Sequence, residues 1–78
     1  MTLVDAKEGD WLVVTGITGD EIAWQALRFG IDEGSHIKLE KKLPGGPVIV
    51  AKSQLEIAIG RQLASSIQVA PLSKEQIR

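Results

Sequence analysis

The sequence contains no cysteine, no tyrosine, one histidine, one phenylalanine and two tryptophans. Without cysteine there is no disulfide, no thiolate metal site and no thiol nucleophile, and the chain suits a reducing compartment. A zinc site calls for three or four ligands, so a lone histidine argues against one. Long apolar runs are missing as well. Nothing approaches the ~20 residues that cross a bilayer, and Met1-Thr2-Leu3-Val4-Asp5 lacks the basic start and apolar stretch of a secretory signal. We therefore expect a cytoplasmic protein that is not itself in the membrane. An excess of charge of one sign is absent too: the net charge is -1, with a pI of about 5.7 and acids and bases interspersed. With 4% aromatics and no basic excess, neither phosphate attraction nor base stacking is favoured, and no nucleic-acid partner is expected.

What is present is the composition of one small folded domain. The 78 residues are 44% hydrophobic and include eight glycines and three prolines, which indicates a turn-rich core rather than disorder. We read residues 1–78 as a single domain with flexible ends at 1–4 and 71–78. A chain this short buries only roughly 60% of its unfolded surface.

The chain is organised around Leu27-Arg28-Phe29-Gly30-Ile31-Asp32-Glu33-Gly34-Ser35. Upstream, Ile22, Ala26, Leu27 and Phe29 recur at helical spacing; downstream, His36 to Lys42 alternates like a strand, with Ile37 and Leu39 inward. Gly30 suits a left-handed helix end, and Asp32-Glu33-Gly34 suits a tight turn. Thr18-Gly19-Asp20-Glu21 has the form of a capping box that starts the helix. Before it, Trp11 to Thr15 reads as a first strand. After the polar strand, the Leu43-Pro44-Gly45-Gly46-Pro47 loop leads into Val48 to Ala51, a turn at Lys52-Ser53-Gln54, and a strand with Leu55, Ile57 and Ile59 inward. One helical turn near Leu63-Ala64 precedes a last strand, Ile67 to Val69, that Pro71 ends. The class is mostly β, with five short strands, and closing them into a barrel would remove two open edges.

Little in this pattern carries chemistry. His36 opposes Ile37 and Leu39 in strand phase and should face solvent; only Asp32 and Glu33 lie near it in sequence as partners for a base or a metal. Gly45-Gly46 lacks the strand-loop-helix context of a phosphate loop and is read as a turn. Ser65-Ser66 has no histidine in sequence reach to activate it. No enzyme activity and no cofactor are expected, and a divalent metal such as Fe²⁺ would be held weakly, at His36 with Asp32 or Glu33. Lys38, Lys41, Lys42, Lys52 and Arg61 could gather as a modest basic face, although solvated lysines that guard sheet edges are the simpler reading. Trp11 and Phe29 are read as core. Trp24 lies off the apolar stripe, and Leu43, beside Pro44 and Pro47, sits in a loop too short to bury it.

Taken together, Leu27-x-Phe29-Gly30-Ile31-x-x-Gly34-Ser35-x-Ile37-x-Leu39, then Gly46-Pro47-Val48-x-Val50, then Ile57-Ala58-Ile59-Gly60-Arg61-x-Leu63-Ala64-x-x-Ile67-x-Val69 resembles the FeoA family of bacterial ferrous iron transport. The resemblance implies an SH3-like small five-stranded β-barrel with a short helix inserted after the first strand and a single helical turn before the last. It also implies a non-enzymatic accessory role beside FeoB, the membrane GTP-binding iron permease, and a family-level association with transition metals. Many members carry an Arg-Leu pair where this chain has Gln25-Ala26. Similar domains end iron-dependent repressors behind a helix-turn-helix; the chain starts at Met1 without one, which leaves a regulatory domain as the alternative. On this reading Trp24, Leu43, Pro44 and Pro47 would dock on the cytosolic G domain or membrane core of FeoB, with Arg61 and the lysine-bearing face next in line. Self-association through the same patch, giving a homo-oligomer, is the competing use. Gly30, Gly34 and Gly46 are expected to serve the turns.

Overall fold

The computed structural model describes residues 1–72. A 3-10 turn at Leu3–Asp5 is followed by β1 (Trp11–Ile17), α1 (Asp20–Arg28), β2 (His36–Lys42), β3 (Val48–Lys52), β4 (Leu55–Ile59), α2 (Arg61–Ala64) and β5 (Ile67–Pro71). All five strands join one antiparallel sheet in the order β4-β3-β2-β1-β5. The chain is mostly β, as its alternating segments require. Of the expected flexible tail, Pro71 is in β5 and the Leu72 N–H donates to Trp11 O at 3.0 Å. Residues 73–78 lie outside the described residues.

The strand alternation converts directly into a core. Leu12 and Val14 of β1, Ile37 and Leu39 of β2, Val48 and Val50 of β3, Ile59 of β4, and Ile67 and Val69 of β5 turn their side chains into one cluster from which water is excluded. Burial of a side chain of this size contributes roughly 1.5–3 kcal/mol, set against the ordering entropy of the chain. Two register shifts, one between Val14 and Gly16 against β5 and one between Leu39 and Lys41 against β3, place an extra residue in one strand. Bulges of this kind increase local twist and bend the strand, so a short sheet can curl about a single core.

The sheet does not close. β4 and β5 are its two edges, contrary to the closed ladder expected from sequence. No ladder joins β4 to β5, and the 3-10 turn packs on α2 and β5 instead. The start of the chain is also ordered rather than flexible. Leu3 and Ala6 are fully buried, Thr2 bridges Gln68, and Val69 N–H donates to Met1 O at 2.8 Å. A leucine that completes the core outweighs the fraying tendency of a terminus.

Local chemistry explains the remaining joints, and corrects one of them. α1 ends in paired bonds from Gly30 N–H to Leu27 O at 2.9 Å and from Ile31 N–H to Ala26 O at 3.0 Å. This double closure requires a left-handed residue, and Gly30 supplies it at φ 77°. Ala26 and Ile31, both buried, make the apolar contact that accompanies it. Gly34, at φ 91°, then turns the chain so that its N–H reaches Val14 O at 2.8 Å. At the other end of the helix, the capping box expected at Thr18 and Glu21 does not form: Gly19 is the cap, at φ 96°, and no side chain bonds there. In the loop between β2 and β3 Gly45 is the left-handed residue, at φ 66°, and the Gly46 N–H closes the turn on Leu43 O at 2.9 Å.

Candidate docking surface

α1 is held to the sheet by little. It is nine residues long and buries only Ala26 completely, with Ile22 and Ala23 half-buried. An alanine at the contact lets the helix backbone approach closely, and its bulky neighbours then lean outward. Trp24 is 70% exposed, Leu27 50% and Phe29 45%. The sequence reading put Leu27 and Phe29 on the buried stripe; the structure places all three with water. Leu55, also read as inward, is 69% exposed, because β4 is an edge whose first residue extends past the core.

Grooves flank the helix on both sides. One, of about 370 Å³, runs between Ile22 of α1, Phe29 just past its end, Ala58 of β4 and Leu63 of α2. Another, of about 410 Å³, lies between Leu27, Ile17, Ile31 and the Asp32-Glu33 turn. The third is a shallow depression against Trp24, bounded by Asp20, Ala23 and Leu27. Exposed apolar side chains beside grooves are the usual mark of a surface that meets another molecule.

The other candidate residues fall elsewhere. Leu43 and Pro44 are exposed in the loop between β2 and β3, and Pro47 is half-buried. Arg61 supports that loop rather than facing a partner: its Nε donates to Gly46 O at 2.9 Å and its Nη2 to Leu43 O at 3.0 Å. With Gly46 N–H donating to Leu43 O at 2.9 Å, the loop is rigid. Leu43 is thus presented on a rigid loop, distinct from the helix.

Lys38, Lys42 and Arg61, considered as parts of a basic face, are engaged separately. Lys42 Nζ donates to Val4 O and Ala6 O at 2.6 and 3.0 Å, clamping the first residues of the chain, while its backbone N–H donates to the Glu8 carboxylate at 2.8 Å. Lys38 pairs with Glu40 at 3.6 Å and lies 5.5 Å above the ring of Trp11, which is exposed rather than core. Arg61 is engaged as above. Long cationic side chains are here used to hold backbone, which their sequence positions do not reveal.

His36, Asp32 and Glu33 are all exposed. The Asp32 carboxylate accepts from Ser35 Oγ at 3.0 Å and Asp32 N–H donates back to that hydroxyl at 3.1 Å, a closed turn that fixes the start of β2. Among the described residues no three His, Cys, Asp or Glu side chains are grouped as a metal cage. Nor is any helix there long and apolar enough to cross a membrane.

Comparison with known proteins agrees with this architecture. The FeoA domain profile matches residues 1–71. The candidate Fe(2+) transport protein A of Methanocaldococcus jannaschii is 41% identical over 68 residues, which span 86% of this chain and 82% of that protein. Among solved structures, the iron uptake regulatory protein FeoA superposes with a TM-score of 0.85 at 27% identity, covering 92% of this chain and 97% of that one. The FeoA protein from Chlorobium tepidum gives 0.81 at 25% identity, covering 94% and 71%. The manganese regulator SloR shares the fold, with a TM-score of 0.83 at 14% identity, over 92% of this chain and 34% of that chain. The SH3-like fold is common to all of them, and on the domain match and the sequence identity together the chain belongs to the FeoA family.

Proposed function

We propose that this chain is a small cytosolic accessory protein of ferrous iron uptake that docks on FeoB, through the exposed face of α1, and modulates it. The observation that carries the reading is the trio Trp24, Leu27 and Phe29, 45% to 70% exposed along and at the end of a helix whose only fully buried residue is Ala26. Tryptophan and phenylalanine are poor choices for a face that meets only water and good anchors for one that meets protein, because they bury large area with few rotors to order. The family membership supplies iron transport as the setting, and a FeoB partner is consistent with it. The role is recognition rather than catalysis, and the rigid loop carrying Leu43 is a second contact on the same reading. A regulatory domain of the metal-dependent repressor type is the alternative, supported by the shared fold of SloR alone.

The test is a titration of the wild-type chain, Trp24→Ala and Leu43→Ser against the soluble G domain of FeoB and against detergent-solubilised FeoB. Wild type should bind one of them. Trp24→Ala should weaken binding by roughly tenfold or more, as removal of an interfacial anchor does. Failure of wild type with both preparations would exclude the accessory reading. Binding undiminished in both variants would move the contact away from α1 and the loop.

A further inference from the structure

We propose that two copies of this chain pair through the β4 edge, antiparallel about a two-fold axis at Ile57, and that this assembly is independent of docking through α1. Beyond its shortness and the charge of Glu56, β4 lacks the devices that normally protect an exposed strand edge, among the described residues. Leu55-Glu56-Ile57-Ala58-Ile59 contains no proline, no lysine and one charge, and its register with β3 runs unbroken from Val48↔Ile59 to Lys52↔Leu55. β5, the other edge, ends in Pro71 and is met by Met1 and Thr2.

The phase of the free backbone groups follows from the turn. Only Ser53 and Gln54 separate Lys52 from Leu55, so that pair is the hydrogen-bonded one, and Val50↔Ile57 and Val48↔Ile59 share its phase. Glu56 and Ala58 therefore direct their N–H and C=O groups away from the sheet, and neither has a hydrogen-bond partner among the described residues outside the strand ladder. Two copies related by the axis at Ile57 set Glu56 opposite the second copy's Ala58 and Ala58 opposite the second copy's Glu56. Each such pair exchanges two bonds, so four form in all. The carboxylates do not oppose each other, as they would if the axis lay at Glu56.

The same register explains the exposure of Leu55. It faces the second copy's Ile59, on the core side of the edge. A leucine that is 69% exposed in one copy thus gains an apolar neighbour in the other. Two-fold pairing of identical patches is the commonest form of association, and self-complementarity selects a second copy over an unrelated strand. A five-residue edge with one apolar anchor per side makes a small interface, so dimerisation is expected at the weak end of the range.

Sedimentation velocity of the full chain, from about 1 μM to 1 mM, reads the mass against the 8.4 kDa of one copy. The expected result is a concentration-dependent rise toward twice that mass. Ala58→Pro removes two of the four bonds at an N–H that β3 does not use, and should raise the dimer dissociation constant roughly tenfold or more. The register is tested by charge. Ala58→Glu opposes two carboxylate pairs and should weaken the dimer roughly 2- to 30-fold, whereas Ala58→Lys creates two opposite-charge pairs and should tighten it by a similar factor. Far-ultraviolet circular dichroism confirms that each variant keeps the fold. A monomer at every concentration would overturn the proposal, as would a dimer indifferent to the charge at residue 58.

Discussion

At the β5 edge the outward Val69 N–H donates to Met1 O at 2.8 Å, Thr2 bridges Gln68, and Leu3 fills the core behind them. At the β4 edge the outward groups of Glu56 and Ala58 have no such cover among the described residues, and the neighbouring helix presents Trp24 and Phe29 to water. The two edges belong to one sheet and differ only in what the chain lays over them. One is finished by ten residues that precede β1, held down by the Lys42 clamp on Val4 and Ala6. The other is left open beside the least anchored element of the fold. Stability is thus concentrated on one side of the molecule, and the proposed contacts lie on the other.

Substitutions that exchange leucines between the two sides give the largest contrast. Leu3→Ala should destabilise the chain by about 2–5 kcal/mol in urea unfolding, the range for emptying a fully buried leucine site. Leu55→Ala, measured on dilute protein, should change stability by less than about 0.5 kcal/mol. Equal effects would erase the contrast. Next in size are Gly30→Val and Gly34→Val, each about 1–3 kcal/mol, because a β-branched residue is strained at φ 77° and 91° whatever the space around it. An unchanged urea midpoint in either variant would contradict the turn geometry.

Smaller effects sharpen the account of the clamps. Lys42→Met removes the donor shared by Val4 O and Ala6 O, and Arg61→Met the donor shared by Gly46 O and Leu43 O. Both sites are partly solvated, so about 1 kcal/mol each is expected. The first should speed amide exchange at Val69, the second at Gly46, and neither should affect the other's site. The smallest effect concerns Asp5. The Thr2 backbone N–H, and after it the Thr2 hydroxyl, donate to its carboxylate and hold its pKa below the ordinary value. A depressed folded pKa stabilises the native state above the unfolded value and loses that contribution as pH falls through the folded one. The protection factor at Val69, from which the intrinsic pH dependence of amide exchange is divided out, should therefore fall below about pH 4 and be flat above it, and Asp5→Asn should remove the step.

The core was legible in the sequence because strand alternation is a strict rule: Ile37, Leu39, Val48, Val50 and Ile59 all lie where period two puts them. So were the glycines at the end of α1, since few other residues take that conformation. The exposed surface was less readable. Leu27 and Phe29 occupy helical positions that would be buried on a deeply seated helix, and only the small size of Ala26 hints that the helix sits too close and too shallow for them. Leu55 continues the inward phase of its strand past the end of the core. The clamps were hidden for a different reason: Lys42 meets Val4 and Ala6 across 38 and 36 residues, and Arg61 meets Gly46 across 15, distances at which no sequence spacing applies. The capping pattern at Thr18 and Glu21 misled because Gly19 takes the cap itself.

The most direct test of an edge that is closed against an edge that is open is backbone amide exchange, read by NMR on the dilute wild-type chain. Val69, Ala58 and Glu56 all direct their N–H groups outward from edge strands, so the ladder itself protects none of them. Val69 should exchange slowly, at a rate set by release of the first residues from Lys42 and the core, while Ala58 and Glu56 exchange fast. Equal and rapid exchange at all three would show that the β5 edge is as open as the β4 edge, and would contradict the account.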